Sequence, residues 1–273
     1  MTPASNVIRP RPAPVFRRAV VDSWRSTAGW SLALAAALFL YLPLYRSMSS
    51  DNMRSLINGL PPELVNALGY ADIASGPGYV QATFFGLLGF VFITVAAVSW
   101  GSAAIGGAEE SGRLEMVLSR GVSREQYVLE SALGLLTRLL WLAVFTGSII
   151  LLLNGPSRLG LVAGNVAAEE AAWLCLAYLS GAVCLAAGAV SGRRSVGLGA
   201  GAAVAAYGFV LNALANQDAD LGWLRNISPY SWAYRHTPLV HGADWPGLAL
   251  LAGTGLLCTL GALLALRWRD ILG

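Results

Sequence analysis

Six long apolar segments limit most strongly how this chain can fold, because each can cross the hydrocarbon core of a bilayer. A helix rising about 1.5 Å per residue needs about 20 residues to cross roughly 30 Å of hydrocarbon. Backbone polar groups in hydrocarbon must be satisfied within the segment, so each one is predicted to be an α-helix. The predicted spans are residues 28–45, 79–105, 132–153, 171–190, 195–215 and 245–266.

The composition agrees with a membrane protein. Apolar residues make up 56% of the chain and charged residues 12%, whereas soluble domains usually hold about 25% charged residues. The predicted fold is therefore an all-α polytopic membrane protein with six transmembrane helices. We expect residues 1–27 to form a cytosolic tail with an elbow helix, and residues 28–273 to form one transmembrane domain with outer segments 46–78 and 217–244.

The distribution of arginine predicts the orientation in the membrane. All 18 basic residues are arginine, so the positive-inside rule can be applied to arginine alone. With a cytosolic N-terminus, twelve arginines face the cytosol, five face outward, and Arg138 lies inside the third span. Both termini are therefore predicted to be cytosolic. Residues 1–14 are polar and proline-rich, so no cleavable signal peptide is expected.

The polar stretch at residues 109–124 lies between the second and third spans, on the predicted cytosolic side. Leu114, Val117 and Leu118 recur at helical spacing and predict a short amphipathic helix. Ser123 is placed to cap the helix that follows. A solvated loop whose charges only keep it in water is the alternative.

The N-terminal flank at residues 15–25 also has helical periodicity. It predicts an elbow helix along the inner interface, with its arginines toward anionic headgroups and Phe16 and Trp24 toward the acyl chains. The flank could serve only as a positive anchor, or it could also contact a cytosolic partner.

The order of residues in the polar stretch resembles that of ABC-2 type transporter permeases. Residues 109–124 are similar to the segment that joins the second and third spans of that family, with Val117 and Gly121 in place of the usual Leu and Pro. The resemblance continues along the chain. Three further motifs resemble the family's outer helix, its Ser-Pro-aromatic turn and its terminal signature, at residues 60–69, 228–232 and 266–271.

This resemblance implies a permease subunit of an ATP-driven exporter in the plasma membrane of a bacterium. ATP and Mg would bind a separate ATP-binding cassette subunit, in two copies, and a second permease of the same or similar kind would complete the pathway. Residues 107–125 would form the coupling segment, with Leu114 and Leu118 in a groove of the cassette subunit. The implied ATPase contacts are Glu109, Glu110, Gly112, Arg113, Leu114, Glu115, Val117, Leu118, Arg120, Ser123, Arg124, Arg17 and Arg18.

Several polar and aromatic residues within or beside the spans are candidates for the pathway or its gating. They are Arg138, Trp141, Tyr207, Asn212 and Asn216. Arg138 and Glu130 share a helix face about 12 Å apart along the axis, too far for a direct ion pair in a straight helix. Snorkelling toward the inner edge and a substrate or gating contact are the two roles considered for this pair.

Other features of the spans and outer loops predict structural roles. Glu169 and Glu170 are expected to cap the outer start of the fourth span. Glycines in the fifth and sixth spans predict close helix contacts, within one subunit or between two. The three cysteines are expected to act as packing residues. His236 and His241 lie in an outer loop without the spacing of a metal site, so no metal is expected.

Other function classes fit the sequence less well. An intramembrane serine protease would need histidine within a span, and both histidines lie in a loop. A phosphate-binding loop needs lysine, which the chain lacks, so this chain is not expected to be an enzyme. No nucleic-acid partner is expected. A secondary transporter or a membrane-anchored scaffold without an ATPase remains the alternative, and the apolar spans favour a hydrophobic or amphipathic cargo such as a drug, antibiotic or lipid.

Overall fold

The computed structural model describes residues 13–47, 59, 61 and 73–269. Within these residues the chain folds into helices without strands, and six helices are long and apolar enough to cross a membrane. The predicted all-α polytopic membrane fold is therefore confirmed. The predicted outer helix at residues 60–69 and the last part of the terminal motif lie outside the described residues.

The helices follow one another with short connections wherever the structure describes them. In chain order they are α1 (Pro14–Arg17), α2 (Trp24–Ser47), α3 (Gly76–Ala104), α4 (Gly106–Glu110), α5 (Arg113–Leu118), α6 (Arg124–Ser157), α7 (Ala163–Ser191), α8 (Arg194–Gln217), α9 (Pro229–Tyr234), α10 (Pro238–His241) and α11 (Trp245–Trp268). Helix α1 continues as a π-helical turn at Arg18–Asp22, and a 3-10 helix at Ala219–Asn226 follows α8. We call the end of the bundle with α1, α4 and α5 the elbow end, and the end with α9 and α10 the opposite end.

Two of the spanning helices start well before the predicted spans. Helix α6 begins at Arg124 because the Ser123 hydroxyl accepts a hydrogen bond of 3.0 Å from the backbone N–H of Gln126. This is the predicted capping contact. Helix α7 begins at Ala163, so its first two turns precede the apolar stretch that suggested a span from residue 171. Both helices therefore bring polar residues into the bundle that hydropathy alone places outside it.

Helix α7 lies at the centre of the bundle, where it packs against α3, α6, α8 and α11. Small residues allow this close packing. A Cβ added to Gly101 of α3 would lie 2.6 Å from the carbonyl oxygen of Gly181 in α7. On α8, Gly201 faces the side chain of Cys184, and on α11 Gly255 faces the ring of Tyr178. These glycines serve contacts within one subunit.

The elbow helix is formed by residues 14–22, and α1 packs against α6. Its first backbone N–H groups are satisfied by a distant side chain. Glu130 of α6 accepts hydrogen bonds of 2.8 Å and 3.0 Å from the N–H groups of Val15 and Phe16. A carboxylate at a helix N-terminus is a stabilising arrangement. Glu130 therefore holds the elbow helix against α6, a role that differs from the two considered in the sequence.

The outer segment between α8 and α11 folds into short helices that enter the bundle. Ser228 caps α9, accepting from the N–H of Ser231 at 3.1 Å and donating to the carbonyl of Gly208 at 2.6 Å. The hydroxyl of Tyr230 donates to the carbonyl of Gly86 in α3 at 2.7 Å. Most of α9 is buried, so this segment closes the opposite end of the subunit.

Candidate functional site

The coupling segment turns twice at glycines. Gly112 before α5 and Gly121 after it have φ angles of +66° and +87°, in the left-handed region that favours glycine. Proline fixes φ near −65°, so the usual proline could not adopt the backbone seen at Gly121. The departure from the family pattern at this position therefore changes the turn and leaves the helix intact. We call α5 the coupling helix.

The apolar stripe of the coupling helix faces the core of the same chain. Leu114 is fully buried in the chain's own core, and Val117 and Leu118 are half-buried against that core. In this structure the core of the same chain covers Leu114, whereas the sequence predicts a groove of a partner, because helical periodicity cannot tell which protein covers an apolar face. The large apolar side chain that points away is Met116, which is 56% exposed. Exposed Glu115 lies beside it in the chain.

Several charged residues predicted to contact an ATPase instead bind the ends of other helices. Glu109 forms an ion pair with Arg269 just after α11. Glu110 accepts a hydrogen bond of 2.9 Å from the backbone N–H of Arg194 at the start of α8. Arg124 donates to the carbonyl of Arg269 at 2.6 Å. Within the chain, Glu109 and Arg124 therefore connect residues 107–125 to the end of α11, and Glu110 connects them to the start of α8.

A cavity of about 1180 Å³ lies between the elbow helix and the coupling segment. Its walls come from the elbow helix, the last turns of α3, the coupling helix, the start of α6 and Arg194 of α8. The described residues that line it include six arginines: Arg17, Arg18, Arg113, Arg120, Arg138 and Arg194. The one acidic residue in the described lining is Asp22. The arginines predicted on two separate segments thus meet around one space.

Arg138 is the deepest of these arginines and is only 7% exposed. Its guanidinium carbon lies 3.6 Å from the centroid of the Trp100 ring, a cation–π arrangement. Its Nε donates to the hydroxyl of Thr27 at 3.0 Å. The guanidinium is therefore held by Thr27 of α2 and Trp100 of α3, and the ion pairs among the described residues do not include one to Glu130.

The comparisons with known proteins now identify the family. The chain matches the family model described as ABC-2 family transporter protein over residues 13–266. It belongs to this family. A comparison with curated proteins found no match. The chain is thus an ABC-2 type permease, a membrane component of an ABC transporter without an ATPase site of its own, and the family implies an ABC ATPase partner.

Two of the aromatic residues predicted for the pathway lie on outward faces of the permease. Trp141 is 56% exposed, and Tyr207 is 50% exposed. The indole N–H of Trp141 donates to the hydroxyl of Ser31 at 3.2 Å, and its ring stacks on Phe145. Neither aromatic residue lines the cavity at the elbow end. A pathway that uses them would have to form against another surface.

The predicted asparagines bind the short helices of the opposite end. Asn212 accepts a hydrogen bond of 2.8 Å from the hydroxyl of Ser231 in α9. Asn216 accepts one of 3.1 Å from Arg225 in the 3-10 helix. These contacts connect the end of α8 to the segment that closes the permease, so movement of α8 and of this segment would be coupled.

Glu169 and Glu170 do not cap a helix, contrary to the prediction. Helix α7 begins at Ala163, which places both residues in its second turn, where they are buried. Glu169 accepts a hydrogen bond of 2.8 Å from the side chain of Gln81 in α3. Both carboxylate oxygens of Glu170 are buried without a hydrogen-bond partner among the described residues. The sequence signal for this site was an acidic pair placed at the edge of an apolar stretch.

The histidines of the outer segment do not form a metal site within the part of the chain that the structure describes. His236 lies 3.5 Å from the carboxylate of Asp244, and His241 contacts the hydroxyl of Thr237 at 2.9 Å. All three cysteines are free, and Cys184 is buried between α7 and α8. These residues support the fold of the permease.

Proposed function

We propose that this permease exports a hydrophobic or amphipathic cargo and is driven by a separate ATP-binding cassette subunit that docks on the coupling helix. The exposed side chain of Met116, flanked by charged residues on a helix held between two glycine turns, is the observation on which the proposal rests. An apolar side chain surrounded by charge is typical of an interface anchor with a polar rim. The rim charges would set the register and rate of docking.

The buried face of the coupling helix explains how docking could move the spans. Leu114 fixes α5 to the core, so a displacement of α5 also displaces the packing around it. The ion pair from Glu109 to Arg269 and the hydrogen bond from the Arg194 N–H to Glu110 join the same segment to α11 and α8. A cassette subunit that pulls on α5 would therefore act on the elbow-end termini of these two spans.

The exposed spans support a second permease subunit. In α2, α8 and α11 only 22% of the residues in the most apolar window are buried, against 50% to 61% in α3, α6 and α7. Gly199 of α8 and Gly253 and Gly261 of α11 have open space around their Cβ positions. Small residues on exposed faces allow close approach of another helix. Two permeases with two cassette subunits would then form the pathway between them.

The proposal includes an orientation of the permease in the membrane and a location for the nucleotide. The elbow end faces the cytosol, both termini are cytosolic, and the membrane is the plasma membrane of a bacterium. ATP and Mg bind the cassette subunits. A permease that worked as a secondary transporter or as a scaffold would show no dependence on such a partner.

The proposal is tested by coexpressing the permease with a cassette ATPase encoded beside it and measuring copurification and ATP-dependent export of a lipophilic dye. We expect Met116→Asp to weaken binding of the ATPase at least about tenfold, in the range of interface hot spots, and to stop export. The matched control is Val162→Asp, which changes a similarly exposed side chain at the opposite end. Wild-type levels of copurification and export in Met116→Asp would overturn the proposal.

A further inference from the structure

We propose that the cavity between the elbow helix and the coupling segment is a binding site for a phosphate-bearing anion. This site is distinct from the proposed docking face on Met116, and it can be measured with the permease alone. The ligand chemistry is a phosphate or pyrophosphate group, carried either by the headgroup of a lipid or by a soluble molecule.

The positive charge of the cavity exceeds its negative charge, because Asp22 is the one carboxylate among the described lining residues and the other nearby carboxylates bind elsewhere. Glu130 is occupied by two backbone N–H groups of the elbow helix. Glu109 pairs with Arg269, and Glu125 pairs with Arg267. Among the residues that the structure describes, no ion pair involves any of the six arginines of the cavity. A concentrated field of one sign in a concave site attracts ligands of the opposite charge.

Arg138 supplies a donor within the cavity wall. It is 7% exposed, and its Nη2 has no hydrogen-bond partner among the described residues. Trp100 and Thr27 hold the guanidinium, and Nη2 is covered by neighbouring atoms, so an anion that pairs with this nitrogen has to displace part of that cover. A guanidinium has five N–H donors in a planar fork that matches two oxygens of a phosphate. An unpaired buried donor is costly, so a bound anion would remove an existing deficit.

The polar and apolar parts of the wall suit a headgroup with an apolar neighbour. Ser26 and Ser99 are among the lining residues, together with Trp100 and Val117. The volume of about 1180 Å³ is above the range of ordinary ligand pockets, which span about 300–1,000 Å³. The space is therefore larger than a single phosphate needs.

The depth of the cavity favours a ligand over the surface of a protein partner. Its lining along α6 extends from Gln126 to Arg138, a distance of about 18 Å at 1.5 Å per residue. An acidic protein surface docked at the rim could reach exposed Arg17, Arg18 and Arg120 but not Arg138. A phosphate group on a narrow molecule could occupy the full depth.

The test measures binding to the purified permease in uncharged detergent, with two probes used in separate titrations. The first is inorganic pyrophosphate, and the second is phosphatidic acid compared with phosphatidylcholine in mixed micelles. We expect at least one of the anionic probes to bind and to raise the thermal midpoint of the permease. Binding of pyrophosphate identifies a soluble phosphate as sufficient, and binding of phosphatidic acid alone identifies a lipid headgroup.

The variants locate the binding. Arg138→Gln and Arg18→Gln are each expected to weaken binding about tenfold, in line with the strength of a charge-assisted pair. Arg193→Gln removes an exposed arginine at the same end that does not line the cavity, and it should bind like the wild type. Arg18→Gln, on the exposed rim, keeps the test valid if Arg138→Gln does not fold. Two results would overturn the proposal. One is binding of neither probe, and the other is an equal loss of binding in Arg193→Gln and Arg18→Gln.

Discussion

At the elbow end of the permease, arginine side chains line an open cavity, whereas at the opposite end two glutamates lie buried beneath short helices. The basic end has rim residues such as Arg18 and Arg120 exposed. The acidic end has Glu169 and Glu170 inside α7, within the part of the bundle that α9 and α10 close. The arginines at the first end are accessible to partners and ligands, while Glu169 and Glu170 at the second end are covered by the short helices. In the single subunit, the elbow end therefore has an open cavity, whereas the opposite end is closed by α9 and α10.

The same contrast holds for the connections between helices. At the elbow end, the coupling segment reaches α8 and α11 through polar contacts that include the Glu109–Arg269 pair. At the opposite end, α9 is packed into the bundle, with Tyr230 in edge contact with Phe90 and Phe209. Polar contacts near water exchange more readily than buried aromatic packing. Motion is thus expected to begin at the elbow end.

The largest expected effect distinguishes the two faces of the coupling helix, on which Leu114 is buried and Met116 is exposed. Leu114→Asp would bury a charge without a partner, so we expect a loss of more than about 4 kcal/mol in the free energy of unfolding and poor expression. Leu114→Ala should cost about 2–5 kcal/mol. Met116→Ala, in contrast, should leave the thermal midpoint of the isolated permease unchanged. Equal effects of the two alanine variants on the midpoint would refute the assigned burial.

The next effect tests the closure of the opposite end. A Cβ on Gly247 of α11 would collide with the carbonyl oxygen of Trp232 in α9. Gly247→Ala should therefore push the two helices apart and cost about 1–3 kcal/mol, as overpacking does. Gly164→Ala at the same end, in α7, meets open space and should stabilise the permease by up to about 1 kcal/mol through helix propensity. Thermal denaturation of both variants would show whether their shifts have opposite signs.

A smaller effect tests the sealed carboxylates. Glu170→Gln keeps the shape of the side chain and replaces a carboxyl group that has no hydrogen-bond partner among the described residues. Because the carboxyl group and the amide are both buried at this position without a partner, we expect the stability of this variant to stay within about 1 kcal/mol of the wild type. The matched change at the elbow end, Glu130→Gln, removes the charge that caps the elbow helix and should destabilise it. A larger destabilisation in Glu170→Gln would show that this carboxyl group has a partner.

The smallest expected effect is a loss of stability at alkaline pH that comes from Tyr234 at the opposite end. Burial, with the nearby carboxyl groups of Glu169 and Glu170, raises the pKa of Tyr234 well above its ordinary value. An unfolded tyrosine ionises near pH 10 whereas the folded Tyr234 stays neutral, so stability from this group is lost as the pH rises above about 10. Tyr234→Phe should remove that part of the loss. Stability curves of wild type and variant that remain parallel from pH 8 to 11 would contradict the assignment.

The sequence predicted the elements well and their partners less well. Apolar segments predicted all six spans, and helical spacing predicted a short helix where α5 lies. The spacing of Leu114 and Leu118 did not show that the core of the same chain covers the stripe, since an apolar face looks alike whichever surface it meets. The sequence predicts Glu169 as a cap of the fourth span, because hydropathy does not extend a span across carboxylates.

The contacts that were missed join residues far apart in the chain. Glu130 caps the elbow helix from more than a hundred positions away, and Arg124 donates to the carbonyl of Arg269 across a similar separation. Such pairs depend on the three-dimensional arrangement of the helices, which local patterns do not contain. The arginine-lined cavity was missed for the same reason, because its residues come from four separate segments.

Crosslinking from the coupling helix tests the central claim most directly. In a background where Cys175, Cys184 and Cys258 are replaced by alanine, Met116→Cys would be treated with a short bifunctional maleimide in membranes that also contain the cassette ATPase bearing surface cysteines. We predict an adduct of permease and ATPase whose yield changes with ATP, and none from Val162→Cys at the opposite end. Adducts of equal yield from both positions, or from neither, would contradict the proposed coupling role of α5.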